Sequence, residues 1–435
     1  MSRQTRRNFL QRTTCGTAAV AIGALAAPAI QAGGANERMV VGMAGCGIRG
    51  KALGAELRKL GVAIAYACDP EQARAESFKS AFGANHAVAD LRKILDDRQV
   101  DAIVIATPDH WHAPAAILAC QAGKHVYVEK PCSHNIVEGR RMIEAARKSG
   151  MVMQVGTQTR STTAFHEPIA LVREGAVGKL LVAKAWVSHR RPNIGRSEPS
   201  EPPAGLDYDL WIGPAPMIPY QENRLQYLWH WWHHFGTGEA GNRGVHQLDI
   251  ALWGLGVTTH PARVIGFGEK LYFDDDQQFP DTQYVTFEYS GDGAPGSKQL
   301  LIYEQRTWTT YPQENYPTGC TFYGDDGYLT MDMHLDWKLF GPKNKLRKEG
   351  KGFYDTRAHC ADFFDAIRNG RRPNADIEIG HLSATLSHLA NILARTGKRK
   401  LAFDPKTERF TDLPEANALV GRSYREGHWA SLETL

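Results

Sequence analysis

The glycine-rich segment Gly45–Gly50 constrains the fold of this chain more than any other feature. It reads Gly-Cys-Gly-Ile-Arg-Gly, follows the apolar run Met39–Ala44 and precedes a helical pattern over Lys51–Leu60. A second apolar run, Val62–Cys68, ends directly before Asp69, close to the spacing of about 20 residues at which Rossmann units carry an acid. Strand, glycine-rich turn, helix, strand and acid in this order predict a dinucleotide-binding Rossmann unit.

The three glycines have separate predicted tasks in such a turn. Gly45 permits the tight bend, Gly47 lets a pyrophosphate approach the backbone, and Gly50 lets the helix pack closely on the strand. The helix that follows presents its N-terminal N–H groups, which include those of Ile48 and Arg49, to the phosphates. These five residues are therefore predicted cofactor contacts.

Two side chains after the second strand bear on the choice of cofactor. Asp69 is expected to accept hydrogen bonds from both ribose hydroxyls and to repel a 2′-phosphate, which favours NAD over NADP. Arg74 keeps NADP open, because a nearby guanidinium could hold that phosphate. We therefore predict NAD, with NADP as the less favoured cofactor.

Apolar runs and helical patterns keep alternating further along the chain. Strand patterns cover Asp101–Ala106, His125–Val128 and Val152–Val155, and a helical pattern over Ala113–Ala122 separates the first two. Alternating β and α units predict a parallel, doubly wound sheet, whose ligands bind at the carboxyl ends of the strands. Further cofactor contacts are predicted just past those strands, namely Thr107, Pro108, His110, His112, Glu129, Lys130 and Gln158.

The second half of the chain has longer β-like runs separated by turn residues. Tyr, Trp, Thr and Val dominate these runs, which predicts an antiparallel sheet with one face buried and the other against a partner. Lys343–Gly352 is expected to be a solvated basic loop and Asp274–Asp276 a solvated hairpin tip. Helical patterns over Arg357–Asn369 and His381–Thr396 are expected to pack back on the sheet or on the first domain. The predicted strands are Leu180–Ser188, Ala262–Phe267, Gln283–Tyr289 and Gln299–Arg306.

Several motifs together resemble the Gfo/Idh/MocA family of sugar-related dehydrogenases. They are the glycine turn, Thr107–His112, Glu129–Pro131 and Gly244–Asp249. The resemblance implies an α/β protein with a doubly wound Rossmann domain over 37–156 and a C-terminal α+β substrate-binding domain over 157–435, built on a large, mostly antiparallel open sheet. It also implies that Lys130 lies beside the nicotinamide and the reacting hydroxyl, and that His246 is the acid/base.

The chain departs from the family pattern four residues before His246. Many members carry an aspartate there, whereas this chain has Asn242, whose amide can hold a sugar hydroxyl but cannot accept a proton. The departure puts a two-residue proton relay in doubt and moves the acid–base work onto His246 and Lys130. Asp249 follows on the same helical face, where it either orients the imidazole of His246 or is a surface acid. The predicted substrate contacts are Asn242, Arg160, Trp211, His230 and Asp249.

The segment Trp229–Phe235 contains three tryptophans, three histidines and a phenylalanine. Three interpretations stay open: a platform of aromatic and imidazole rings for a sugar, a structural aromatic cluster, or a metal site. The metal site would join His230, His233, His234 and His246 to Glu239. Because no ligand spacing repeats, we predict no metal.

The first 32 residues read as a targeting signal. Arg6-Arg7 precedes Asn8-Phe9-Leu10, and the apolar stretch Gly16–Ile30 is too short to span a bilayer. This pattern resembles a twin-arginine export signal and predicts a periplasmic protein that meets the twin-arginine machinery and has no stable membrane insertion. The alternative is an ordinary secretory signal with a chance arginine pair. The segment holds four arginines and no acid, which accounts for the net charge of +4, so attraction to nucleic acid is not supported.

Together these inferences predict an NAD(P)-dependent oxidoreductase that acts on a secondary hydroxyl of a sugar or sugar derivative. Because a periplasm has no ready pool of free NAD(H), the cofactor is expected to be tightly bound and recycled in place. The main alternative is a redox-neutral NAD-dependent glycosidase or epimerase, since some relatives in the family work in that way. A second alternative is a non-catalytic sugar-binding scaffold. The chain is also expected to form a homo-oligomer.

Overall fold

A six-stranded parallel sheet forms the first domain of the computed structural model, which describes residues 38–291, 297–332 and 336–432. The predicted signal segment lies outside these residues. The elements are β1 Val40–Ala44, α1 Ile48–Lys59, β2 Ala63–Cys68, α2 Gln72–Phe82, β3 His86–Val88, α3 Arg92–Asp96, β4 Ala102–Ile105, α4 Asp109–Gln121, β5 His125–Val128, α5 Ile136–Ser149 and β6 Met153–Val155. The strand order is β3-β2-β1-β4-β5-β6 with every pair parallel, which is the order of a Rossmann fold.

The second domain is built on a ten-stranded sheet. Its elements are α6 Thr163–Arg173, β7 Leu180–Ser188, α7 Tyr208–Ile212, α8 Val245–Leu255, β8 Arg263–Glu269, β9 Thr282–Tyr289, β10 Gln299–Arg306, β11 Thr318–Gly324, β12 Tyr328–Asp332, β13 Trp337–Gly341, β14 Lys345–Gly350, α9 Thr356–Asn369, α10 Ile377–Thr396, β15 Lys400–Asp404 and β16 Arg409–Phe410. The order is β14-β13-β12-β11-β7-β10-β9-β8-β15-β16. Only the central pair β7–β10 is parallel among these described strands.

Burial explains why the two sheets have different sequence patterns. Every residue of β4 is buried, because helices cover both faces of a parallel sheet and its strands become continuous apolar runs. In β9 and β10, buried residues alternate with partly exposed ones, as expected when one face meets the core. That core packs α8 and α10 against the sheet through residues such as Leu252 and Leu389.

The last two long helices also contact the first domain. Gln154 of β6 donates its amide to the carbonyl oxygen of His359 at 2.8 Å, and the backbone of Val155 donates to Ala375 at 2.9 Å. Phe363 and Phe364 of α9 join the apolar cluster that surrounds β1. The two domains therefore share buried surface beside the Rossmann sheet.

Two local predictions are wrong. Lys345–Gly350, predicted as part of a loop, forms an exposed edge strand paired with β13; charged side chains are tolerated there because pairing uses the backbone and an edge strand faces water. Asp275, predicted at a solvated tip, is buried and accepts hydrogen bonds from the backbone of Ile194 and from Lys270. Within the described ranges, no helix is both long and apolar enough to cross a membrane.

Candidate active site

A cleft of about 740 Å³ opens where the Rossmann strands end. The first domain supplies the glycine turn and the segments after β2, β4 and β5, while the second domain supplies the facing wall. That wall includes Leu206, Tyr227 and Tyr354. Most of the predicted site residues line the cleft, namely Gly45, Gly47, Ile48, Arg49, Asp69, Arg74, Thr107, Pro108, His112, Glu129, Lys130, Gln158, Trp211, Asn242 and His246.

The glycine turn leaves no room for side chains at two of its positions. Gly45 has a positive φ of 90°, and a Cβ there would lie 2.4 Å from the carbonyl oxygen of Ala106. A Cβ at Gly50 would lie 2.0 Å from the carbonyl oxygen of Gly45, so helix and strand pack closely here. At Gly47 the nearest described atom to such a Cβ is Arg74 Nη1, at 3.3 Å. The turn therefore keeps the start of α1 accessible, where helix N–H groups bind phosphates.

Asp69 sits at the end of β2 and is already held by the backbone. One carboxylate oxygen accepts from the N–H of Cys46 and the other from the N–H of Glu71, both at 2.9 Å. Burial raises its pKa, while these hydrogen bonds oppose the rise. Arg74 donates to Glu71 and to Gln226 of the second domain, so its guanidinium is partly committed to protein partners.

Lys130 follows β5 and reaches across to the second domain. Its Nζ donates to the carbonyl oxygen of Asn242 at 2.8 Å and lies 3.5 Å from the side-chain oxygen of the same residue. Asn242 lies in a π-helical turn, Ala240–Gly244, a type of turn often found at functional sites. Burial lowers the pKa of Lys130, and the neighbouring Glu129 and Asp109 oppose that shift.

His246 lies in the first turn of α8 and lines the same cleft. Burial, followed by the charges of Lys130 and Arg49, lowers its pKa well below the ordinary value. A free histidine has a pKa of about 6.5, whereas this imidazole is buried beside two cations. Its Nδ1 has no hydrogen-bond partner among the described residues. His246 is thus held as a neutral imidazole.

A polar cluster surrounds the carboxylate of Glu129. Arg49 donates its Nε to Glu129 Oε1 at 2.6 Å, and Gln158 donates its amide to the same oxygen at 3.3 Å. Tyr354 donates its hydroxyl to Gln158. Burial raises the pKa of Glu129, whereas the adjacent cations Arg49 and Lys130 lower it. The net result is a pKa below the ordinary value of a glutamate. Glu129 therefore stays ionised and holds the two cations beside the cleft.

Five predicted site residues do not line the cleft, namely Arg160, Asp249, His110, His230 and Gly50. Arg160 and Asp249 form a buried two-point ion pair at 2.9 Å, which Ser383 joins through Asp249. The Asp249 carboxylate is thus engaged by Arg160 and Ser383, and Nδ1 of His246 has no partner among the described residues. Asp249 therefore does not orient the imidazole of His246. His110 is buried and donates to the carbonyl oxygen of Trp211 at 3.0 Å. His230 is buried within the aromatic segment Trp229–Phe235, and Gly50 is buried in the first turn of α1.

The aromatic segment divides between core and cleft. Trp231, Trp232 and Phe235 belong to a buried apolar cluster, which favours the structural interpretation for them. His230 is buried with its Nδ1 against the carbonyl oxygen of Tyr227, and burial lowers its pKa to about 3. Trp229 lines the cleft. Within the described ranges, the side chains that could hold a metal ion together are His260, His381 and Glu408, and none of these belongs to the alternative metal site of the aromatic segment.

Three residues in or beside the cleft have contacts that the sequence did not predict. Tyr227 accepts a hydrogen bond from the amide of Asn242 at 2.7 Å, and only the tertiary fold brings these residues together. Glu239 is buried, accepts from Asn242 at 3.3 Å and forms a two-point ion pair with Arg191. Asp109 accepts from Thr237, and burial raises its pKa to about 7; its position inside a motif next to a strand end was an available signal.

Two family models match the chain. The Gfo/Idh/MocA model, described as an oxidoreductase family with an NAD-binding Rossmann fold, matches residues 39–157. The model of the family's C-terminal alpha/beta domain matches residues 185–293 and 332–430. The chain belongs to the Gfo/Idh/MocA family. Its first domain is an NAD-binding Rossmann domain, which confirms the predicted fold class and the predicted cofactor NAD.

Curated relatives of this Gfo/Idh/MocA protein match over part of their length. A levoglucosan dehydrogenase from Pseudarthrobacter phenanthrenivorans is 37% identical over 100 residues, which are 23% of this chain and 26% of that one. A myo-inositol 2-dehydrogenase from Thermotoga maritima is 30% identical over 171 residues, which are 39% of this chain and 48% of that one. The chain thus matches about a quarter to a half of the length of these relatives.

Solved structures share the fold over nearly their whole length. The WlbA dehydrogenase from Bordetella pertussis, in complex with NADH and UDP-GlcNAcA, has a TM-score of 0.65 and 19% identity, with coverage of 85% of this chain and 99% of that one. A levoglucosan dehydrogenase in complex with NADH and levoglucosan has a TM-score of 0.63 and 18% identity, with coverage of 84% and 99%. At these identities the likeness bears on the fold alone.

The residues of this cleft fit a dinucleotide on structural grounds. Cβ atoms at Gly45 and Gly50 would collide with the backbone, which ties the turn to its phosphate-binding shape. Arg49 Nη2 and Thr107 Oγ1 are buried and have no partner within the described part of the chain. Unpaired buried polar atoms cost about 1–3 kcal/mol each, and a bound cofactor with phosphate and amide groups offers them partners.

Proposed function

We propose that this protein is an NAD-dependent oxidoreductase that acts on a secondary hydroxyl of a sugar or a related cyclic polyol. The observation that carries the proposal is the meeting of Lys130 and His246 in one cleft beside Asn242. The charge of Lys130 is the second largest influence on the pKa of His246, after burial. Relatives named for levoglucosan and myo-inositol support this substrate class.

Each side chain has a defined task in this chemistry. When bound, the nicotinamide supplies a carbon that accepts or returns a hydride. His246 takes the hydroxyl proton, because its lowered pKa keeps the imidazole neutral. Lys130 donates hydrogen bonds to the oxygen as its negative charge develops. Asn242 positions the Lys130 ammonium through its main-chain carbonyl oxygen, while Tyr227 and Glu239 hold its side-chain amide.

Lys130 is suited to share the proton as well as to hold charge. Burial lowers its pKa, and a lysine with a lowered pKa exchanges protons more readily near neutral pH. Glu129 and Asp109 restrain that fall. The lysine therefore acts mainly as the cation of the site and as a secondary proton carrier.

We further propose that the protein works in the periplasm with a tightly held cofactor. Arg6-Arg7 and the apolar stretch after them support export by the twin-arginine machinery, a route known for folded cargo. Outside the cytoplasm the cofactor must be recycled in place, either by a second substrate that returns the hydride or in a redox-neutral reaction. Cell fractionation of the full chain and of a variant with Arg6→Lys and Arg7→Lys tests this point; loss of periplasmic protein in the variant is expected.

The open face of the ten-stranded sheet supports self-association. On β8 and β10, the apolar side chains of Ile265, Phe267 and Ile302 are only partly buried. Apolar patches of this kind mark interfaces, and a second copy is the partner we propose. Light scattering of the purified chain tests the assembly, and a monomer at micromolar concentration would contradict it.

One purified sample tests the proposed reaction. Mass spectrometry identifies the cofactor released on denaturation, and near-ultraviolet absorbance follows NADH as sugars, cyclic polyols and aryl glycosides are added. Formation or bleaching of NADH supports oxidoreduction. Release of an aryl group without net NADH change supports the redox-neutral alternative instead. If NAD is bound but neither response occurs, the non-catalytic sugar-binding scaffold is the alternative that the test supports.

A further inference from the structure

A short segment of the second domain crosses the end of the cleft that holds Asp69. We call Gly205–Trp211 the strap. The carbonyl oxygen of Gly205 accepts from the N–H of Gln72 at 3.0 Å, and the N–H of Asp207 donates to the carbonyl oxygen of Pro70 at 2.9 Å. Between these bonds, Leu206 pairs with Glu71 as an antiparallel bridge. The strap therefore binds backbone to backbone with the turn that follows β2.

The other end of the strap is tied to the first domain as well. The carbonyl oxygen of Trp211 accepts from the ring nitrogens of His110 and Trp111, at 3.0 and 3.1 Å. Asp207 caps α7 by accepting from the N–H of Leu210 at 2.9 Å, which stiffens the segment between the two attachments. A loop held at both ends and stiffened by a helical turn is a fixed wall of the cleft.

The strap presents apolar side chains to the cleft beside the acid. Leu206, Leu210 and Trp211 line the cavity together with Asp69. On the opposite side, Leu91 lines the cavity with Trp429 of the C-terminal segment, and Trp429 is itself held against Arg92, 4.6 Å from the ring centre. These surfaces come from three distant parts of the chain and meet at the carboxyl ends of β2 and β3.

We propose that the strap is a retaining wall for the adenosine half of the cofactor and makes exchange of the cofactor slow. This inference rests on the proposed function, because it takes the ligand to be a dinucleotide with its adenosine ribose at Asp69. A flat, neutral adenosine suits apolar walls, and the main-chain bonds at Gly205 and Asp207 hold this wall in place. The strap belongs to the second domain, so the isolated Rossmann unit lacks this wall.

The same wall disfavours a 2′-phosphate. Asp69 and Glu71 place two carboxylates at this end, and the guanidinium of Arg74 is engaged by Glu71 and Gln226. Leu206 adds an uncharged surface. A dianionic group would meet acids and apolar atoms here, so the retained ligand is NAD rather than NADP.

The test weakens the strap by removing side-chain contacts. It leaves unchanged Lys130, Asn242 and His246, which form the reactive end of the cleft. The variant carries Leu206→Ala and Gln226→Gly, which remove the apolar cover and the contact with Arg74; Leu271→Ala, an exposed leucine outside the cleft lining, is the matched control. Full-length proteins are loaded with NAD, desalted and exchanged against deuterated NAD, and mass spectrometry follows the label. We expect slow exchange in the parent and control, and exchange faster by about tenfold or more in the variant, because the variant loses the apolar contact of the Leu206 side chain with the ligand.

The outcomes separate the strap from the proposed function. Equal exchange rates in the variant and the parent, or complete exchange of the parent within seconds, would overturn the strap inference. Lys130→Met should lose redox turnover while still retaining NAD, so redox failure with retained NAD does not count against the strap. Failure of the parent to bind NAD at all would overturn both. If the double variant does not fold, as judged by circular dichroism, Leu210→Ala alone replaces it with the same expected direction.

Discussion

The two ends of the cleft differ in how completely their polar atoms are paired. At the reactive end, His246 Nδ1 and Arg49 Nη2 are buried without partners among the residues described. At the adenosine end, both oxygens of Asp69 accept backbone hydrogen bonds, and the strap is tied by main-chain bonds. One end therefore keeps hydrogen-bonding capacity for a ligand, whereas the other end is already ordered before any ligand arrives.

This difference separates chemistry from retention. An unpaired buried polar atom destabilises the fold by about 1–3 kcal/mol, so such atoms gather where a ligand supplies the missing partner. An ordered wall lowers the entropic cost of binding, because the protein has less freedom to lose. Substitutions at the reactive end should therefore change turnover and leave cofactor retention intact, and substitutions at the strap should do the reverse.

The largest effect is expected from Lys130→Met, which keeps the length of the side chain but removes its charge. Loss of the cation beside the developing alkoxide should lower kcat by about a thousandfold, while NAD still copurifies with the protein. Steady-state kinetics and mass spectrometry of released cofactor check the two halves of this expectation. Lys93→Met, at an exposed lysine of α3, is the control. Loss of NAD in the Lys130 variant would break the separation between the two ends.

His246→Asn should have the next largest effect, a fall in kcat of about a hundredfold or more, because the base is lost while a polar group remains. Steady-state kinetics of the variant measure this fall.

The pH dependence of the unmodified protein tests the same site. Because burial and neighbouring cations lower the pKa of His246, the imidazole stays neutral below the ordinary value of about 6.5. Oxidation measured as kcat/KM should therefore stay level as the pH falls through that value and decline only in more acidic solution. A midpoint at the ordinary histidine value would contradict the buried, cation-flanked site.

Arg160→Met tests whether that residue acts in stability or in substrate binding. Removing one partner of the buried pair with Asp249 leaves a carboxylate without its cation, which should lower the free energy of unfolding by about 3 kcal/mol or more. Arg196→Met is the matched control, since its pair with Asp274 is exposed and contributes less than about 1 kcal/mol. Denaturant unfolding measures both. A stable Arg160 variant with a raised KM would return this residue to the reactive end.

The smallest effect is expected from Asn242→Asp, which restores the acid found in many relatives. A carboxylate beside Lys130 would raise the pKa of that lysine and of His246, so the acid decline of kcat/KM should move to higher pH by about one unit, with only a few-fold change in kcat at neutral pH. A pH profile of the variant and of the exposed control Asn369→Asp measures the shift. An unchanged profile would show that Asn242 does not influence the reactive pair.

Parts of the fold and site follow from local sequence, and other parts do not. The strands Leu180–Ser188 and Gln299–Arg306 were predicted with the bounds that the structure has, because alternation and turn residues are local signals. The edge strand Lys345–Gly350 was missed because it has no apolar pattern. Helix α4 begins at Asp109 rather than at Ala113, since Pro108 and Asp109 suit a helix start. Arg160 and His230, which were predicted as substrate contacts, instead bind other residues of the protein, Asp249 and Tyr227.

The amino-acid sequence alone determined the Rossmann unit and the position of the acid after β2, and the family resemblance singled out Lys130 and His246 as the proposed reactive pair. The Rossmann unit and the acid depend on short spacings and on residue types whose conformations or charges have few alternatives. Only the tertiary structure decided that Tyr227 and Glu239 join Asn242, that Asp249 faces Arg160, and that the strap covers the adenosine end. Such contacts join segments far apart in the chain, and burial then sets their charges and pKa values, so no local pattern encodes them.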